Sequence, residues 1–144
     1  NIGAVDGNDV TINGTTLTTV GSFTINTSGL SAGNVLLQAV LFPKINNQRG
    51  GGTNSSGISN TGIGTMRIQI LRGSTTLQDE SFTFSHRPDD EDANNTAVAP
   101  DSLPIITTSL IDENVSAGSF TYTLKASGMI EAEHFSFSAV NVMK

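Results

Sequence analysis

Ser119-Phe120-Thr121-Tyr122-Thr123-Leu124-Lys125-Ala126 places an apolar side chain at every second position and a hydroxyl or charge between them. A repeat of two belongs to a β-strand with one face buried and the other in water; a helix cannot keep it. The C-terminal stretch repeats the pattern, with Phe135, Phe137, Ala139 and Asn141 opposing Ser136, Ser138, Val140 and Val142. Upstream, Met66, Ile68, Ile70 and Arg72 alternate with Arg67, Gln69 and Leu71. Gly73-Ser74 then turns the chain into a strand over 75–85, where Phe82 and Phe84 share one face. Residues 35–42 are apolar at both parities, which predicts a strand covered on two sides. Residues 17–26 carry Val20, Phe23 and Ile25, and Gly21 breaks their period as a bulge would. Val10 and Ile12 alternate briefly before Asn13-Gly14, a hairpin-turn dipeptide. Strand character returns over 103–111, and 116–118 form a turn.

About seven or eight strands separated by turn signals predict an all-β fold, an antiparallel β-sandwich. At 144 residues the chain is one ordinary domain, and it contains no cysteine. Disulfides, thiol catalysis and Cys-ligated metals are therefore excluded. The formal net charge of −6 is the wrong sign for a nucleic-acid binder. No apolar run approaches the length of a membrane span. Residues 46–65 and 86–100 read as loops, the first almost free of large side chains.

Four segments in order resemble a known family: residues 34–39, Met66 to Gly73, Ala117 to Ala126, and Phe135 to Ala139. The chain resembles the C-terminal jelly rolls of collagen-like spore-surface (exosporium) proteins of the BclA type, which share the tumour-necrosis-factor-like (TNF-like) fold. The resemblance covers most of residues 15–143. It implies a TNF-like jelly roll that forms a homotrimer and acts as a structural or adhesive unit of a cell or spore surface, extracellular and without enzymatic activity. Residues 1–14 hold no Gly-X-Y repeat, as an excised domain would also lack one, and the loops over 46–65 and 86–102 are longer than the family's.

The chain divides on this reading into residues 1–14, an N-terminal extension or donor-strand segment, and a jelly-roll domain over 15–144. Glycines at 3, 7 and 14 tether the short strand around Val10 and Ile12. Added to a neighbouring subunit's sheet edge, such a strand would build a filament. The alternative is an ordinary first strand or a frayed terminus.

The candidate subunit interface is Val10, Ile12, Phe120, Tyr122 and Leu124, weighed against an ordinary sandwich core for the same side chains. The acidic run Asp89-Asp90-Glu91-Asp92 lacks the spacing of a calcium loop and reads as solvated. The two histidines are His86 and His134; alternation places Glu133 and His134 on opposite faces, which works against a catalytic pair. No G-x-S-x-G elbow frames a serine. The expectation is no enzyme, with no catalytic residue, cofactor or metal. The competing reading is a receptor- or carbohydrate-binding head of a phage or bacterial fibre, with a glycan or host receptor as partner. One Tyr and no Trp leave few aromatics for a sugar platform.

Overall fold

The computed structural model describes residues 2–14, 16–29, 33–44, 63–85 and 105–142. These form eight strands: β1 Gly3–Gly14, β2 Thr18–Asn26, β3 Gly33–Lys44, β4 Ile63–Arg72, β5 Thr75–Ser85, β6 Ile106–Val115, β7 Ser119–Ser127 and β8 Met129–Val142. There is no helix among the described residues. The strands form two four-stranded antiparallel sheets, ordered β1-β8-β3-β6 and β2-β7-β4-β5. The fold is an all-β sandwich. The pairs β1·β8, β2·β7, β3·β6 and β4·β5 are each neighbours within a sheet. This is the order of one long hairpin bent at the Gly73-Ser74 turn, its successive rungs falling in alternate sheets. Gly73 takes φ +58 there, a conformation glycine adopts without a Cβ penalty.

The period of two becomes the core directly. Tyr122, Leu124 and Ala126 of β7, Met66, Ile68 and Ile70 of β4, and Phe135, Phe137 and Ala139 of β8 all face inward and are buried. Phe23 joins the layers, its ring edge-on to Phe137 at 4.9 Å between centroids and tilted against Tyr122 at 5.9 Å. The bulge expected at Gly21 is present as a register shift between Thr19 and Gly21 against β7. It lets Val20 and Gly21 both turn toward the core side.

Several expectations are corrected. β1 runs from Gly3 and is not a short strand at 9–12. Gly3 and Gly7 are not tethers, because each makes room for an aromatic ring. A Cβ at Gly3 would lie 2.6 Å from Phe23, and one at Gly7 would lie 2.8 Å from Phe135. Asn13-Gly14 closes no hairpin, since β1 pairs with β8 and β2 with β7, in different sheets. β6 starts at Ile106 and continues to Val115, with Asn114 in a left-handed conformation at φ 57. β8 starts at Met129, six residues before its alternating apolar pattern. The loops read over 46–65 and 86–102, with His86 and the acidic run 89–92, fall almost wholly outside the described residues; Ile63 to Thr65 belong to β4.

Candidate functional site: the outer face of the first sheet

β3 carries the largest apolar side chains of the first sheet's outer face that fall in a single strand run. Its apolar run over 35–42 predicts cover on both sides, yet among the described residues only one side lies against another sheet. Val35, Leu37, Ala39 and Leu41 are buried in the sandwich, whereas Leu36 and Val40 are half-buried and Phe42 is 36% exposed on the outer face. Cross-strand register extends this outer face sideways. Leu36 stands opposite Ile111 on β6 and Val140 on β8, so three aliphatic side chains form one row across three strands. Ile111 is 51% exposed, Val142 is half-buried at the same end, and Ile105, just before β6, is 54% exposed. Single exposed apolar residues are ordinary on a protein surface; a laterally paired row is not.

The outer face of the second sheet is of opposite character. Ser22, Thr24 and Asn26 of β2 pair with Thr123, Thr121 and Ser119 of β7, and the Thr24 and Thr121 hydroxyls are 2.8 Å apart. On the β4·β5 side of this face, Arg67 grips Asp79 through Nε–H to Oδ1 at 2.8 Å and Nη2–H to Oδ2 at 2.5 Å. Gln69 donates to the same carboxylate at 2.9 Å. The guanidinium and then the amide hold the Asp79 carboxyl down at about 2. Leu71, half-buried, also lies on this face, opposite Thr123.

A polar clasp fastens the edge strand β6, which carries Ile111. Asp112 points inward from β6 and is buried. Arg72 Nη1 of β4 donates to both its oxygens, at 2.8 and 2.7 Å, and the Tyr122 hydroxyl donates at 2.8 Å. Burial, and then the bond to Asp112, push the Tyr122 phenol well above its ordinary range. The Arg72 guanidinium also lies 5.7 Å over the Phe120 ring. Gln78 of β5 donates to the Thr108 hydroxyl at 2.8 Å, a second tie between the sheets.

The other end of the first sheet's outer face is charged. Glu131 of β8 stands between Thr11 of β1 and Lys44 of β3. The expected opposition of Glu133 and His134 is corrected, because both are exposed. The register against β3 slips by one residue between Phe42–His134 and Pro43–Ala132, and this bulge turns both side chains outward while Ala132 and Phe135 stay buried. His134 Nδ1 is hydrogen-bonded to Asn8 Oδ1, and its ring meets Phe42 at 5.7 Å. Among the described residues, no group of three or more His, Cys, Asp or Glu side chains is arranged to hold a metal ion. Among the same residues, no helix is long and apolar enough to cross a membrane.

The interface residues expected from sequence are brought together only in part. Ile12, Tyr122 and Leu124 are 3%, 0% and 0% exposed inside one chain, so their side chains cannot form a seam without opening the sandwich. Val10 and Phe120 are half-buried against the same core. Within one chain Ile12, Tyr122 and Leu124 are core, and Val10 and Phe120 lie at its margin. The apolar outer face of the first sheet consists instead of Leu36, Val40 and Phe42, at the even positions of the 35–42 run, with Ile111 and Val140 beside Leu36 in register. No protein-family model matches the chain, and no curated protein matches its sequence.

Proposed function

We propose that this domain is a structural protein, a jelly-roll subunit that packs against copies of itself as a homotrimer through the outer face of its first sheet. On this reading it builds a bacterial or endospore surface appendage, extracellular, as the resemblance to the BclA-type domains implies. The observation that carries it is the contrast between the two outer faces: an aliphatic row through Ile111, Leu36 and Val140 on one, paired hydroxyls and ions on the other. The strand order of a bent, wrapped hairpin agrees with a jelly roll. Self-association suits the apolar face because three copies can gather their rows around a three-fold axis, each copy packing one side of its row against the next. The face spans roughly 15–20 Å across four strands and about 27 Å along residues 35–42, roughly 400–550 Å², about half to two thirds of what a standard interface buries per partner.

The N-terminal segment fits polymerisation in a restricted way. β1 is the edge strand of the first sheet and pairs with β8 of its own chain. Passing it to a neighbour would therefore be strand exchange into an equivalent slot, not addition to a finished edge.

Light scattering at micromolar concentration tests the reading. A trimer mass for the wild type, reduced to a monomer by Leu36→Lys and left intact by Thr24→Lys on the opposite face, is expected. A monomeric wild type overturns it. Specific retention on a glycan array by a monomer would establish the binding-head alternative instead.

A further inference from the structure

We propose that the edge strand β6 is a register switch on assembly: in its observed register it sets Ile111 beside Leu36, and slipped by one residue it sets Asp112 there and closes the face to other copies. The consequence for assembly rests on the reading that the outer face of the first sheet is the self-association surface.

The register of β6 against β3 already changes once. Continued without a break, the Gly33–Val115 pairing would set Val35 against Glu113; Val35 meets Asp112 instead, and the pairs from there to Leu41–Ile106 keep that register. The extra residue of β6 is taken up at Asn114, whose φ of 57 is left-handed and whose N–H donates to Asn34 Oδ1 at 3.3 Å. Running the Gly33–Val115 register on through the strand would remove this bulge and return Asn114 to extended backbone. Such a slip turns every β6 side chain to the other face of the sheet.

The sequence makes both registers tenable. Residues 108–113 are three doublets of like chemistry: Thr108-Ser109, Leu110-Ile111 and Asp112-Glu113. In the observed register the first member of each sits on the inward side, where Thr108 accepts from Gln78 and Asp112 accepts from Arg72 and Tyr122. After the slip the second member takes the same place. The Ser109 hydroxyl then meets Gln78, Ile111 lies opposite Leu37, and the Glu113 carboxylate meets Arg72 and Tyr122. The poor exchange is at Ile106, buried now and replaced by Thr107. That loss of burial favours the observed register, and relief of the left-handed Asn114 favours the other. A slip in the opposite sense would set Ile111 before Arg72 and Tyr122 and leave both donors without their acceptor.

On the outer face the two registers differ sharply. The slip replaces Ile111 by Asp112 opposite Leu36, so a carboxylate interrupts the aliphatic row. Burying it against another copy without a partner is unfavourable, so only the observed register packs. Assembly in turn draws β6 into that register, because a partner that binds one of two states shifts the population toward it.

The chain has no cysteine, so introduced cysteine pairs report the register without interference. Val40 lies opposite Thr107, and after the slip would lie opposite Thr108. Residues directly opposite in an antiparallel pair have Cα atoms about 4.5–5.5 Å apart, within disulfide reach. Val40→Cys with Thr107→Cys is expected to close in the wild-type background. Val40→Cys with Thr108→Cys, on opposite faces in the observed register, should close only after the slip. Two backgrounds drive it. Asn114→Val puts a β-branched residue where the bulge needs left-handed backbone. Ile106→Thr with Thr107→Ile keeps the composition and gives the larger apolar side chain to the face that the slip buries. In both, the Val40–Thr108 cysteine pair should close. Without the cysteines, both variants should be monomers by light scattering at micromolar concentration, whereas Asn114→Gly should keep the wild-type trimer. A Val40–Thr108 pair that stays open in both backgrounds overturns the switch. Closure in variants that remain trimeric overturns its control of assembly and leaves the self-association reading standing. A monomeric wild type overturns both.

Discussion

The ring of Phe135 is held between two glycines on different sheets, and this allows a quantitative test of how β1 is anchored. Gly7 is the register partner of Phe135 on β1, and Gly21 lies across the core on β2. A Cβ at Gly7 would sit 2.8 Å from Phe135 Cε1, and one at Gly21 would sit 2.7 Å from Cε2 and 2.8 Å from Cζ. The ring cannot retreat from one glycine without striking the other's strand, and it is only 2% exposed. Gly7→Ala should therefore overpack the site at a cost of about 1–3 kcal/mol. Gly7 does not take a positive φ, so alanine also gains about 0.4–1 kcal/mol by restricting the unfolded chain. The net expectation is a loss of about 1–2 kcal/mol. Phe135→Leu alone should cost a similar amount, about 1–2 kcal/mol, through lost burial and a residual cavity. Combined, the two should cost scarcely more than Phe135→Leu alone, because leucine removes the ring atoms that the added methyl group would strike. The coupling would be about 1–2 kcal/mol in favour of the double variant. Urea unfolding followed by fluorescence reads it, since Tyr122 is the single tyrosine and there is no tryptophan. All variants must be compared at one protein concentration if the chain self-associates. Additive costs, with no coupling, would refute the view that the glycines on β1 and β2 exist to seat this ring.

Removing one partner from the buried clasp should cost more than removing its polar decoration. Asp112→Ala, which leaves Arg72 and the Tyr122 hydroxyl without their acceptor, is expected to lose about 3 kcal/mol or more in denaturant unfolding, against about 1 kcal/mol for Tyr122→Phe. Gly128 takes φ +83 and its Cβ would fall 2.2 Å from the Thr65 carbonyl oxygen, so Gly128→Ala should fold poorly, with loss of strand signal in circular dichroism. The Asp79 carboxyl, held down at about 2 by Arg67 and Gln69, should titrate below other carboxyls by NMR. Its contribution to stability is present above the unfolded value near 4 and disappears as pH falls through about 2; Arg67→Met should return its midpoint toward the unfolded value.

The strands with strict alternation were legible because a half-buried strand writes its burial into side-chain parity. Residues 119–126, 66–72 and 135–142 therefore appear in the sequence nearly as they fold. Arg72 was legible in the same way, falling on the inward parity of β4, but its partner was not. Asp112 lies forty residues away, on a strand whose inward positions also include Leu110 and Thr108. The start of β8 was hidden because strict apolar alternation begins only at Phe135, after Glu131, Glu133 and His134. At a bulge on an outer face those charges remain in water while the backbone stays paired.

Fold class was readable from local parity and turn residues alone. Whether the apolar run over 35–42 was covered once or twice was not. Periodicity records that both faces of a strand are apolar, whatever lies against each of them. Sheet packing placed a second sheet on the odd positions and no described strand on the even ones. It likewise moved Tyr122 and Leu124 from an expected seam into the core, and Gly7 from tether to socket. Both outcomes turn on which strand lies across from which, a long-range pairing that short-range patterns in a chain do not encode.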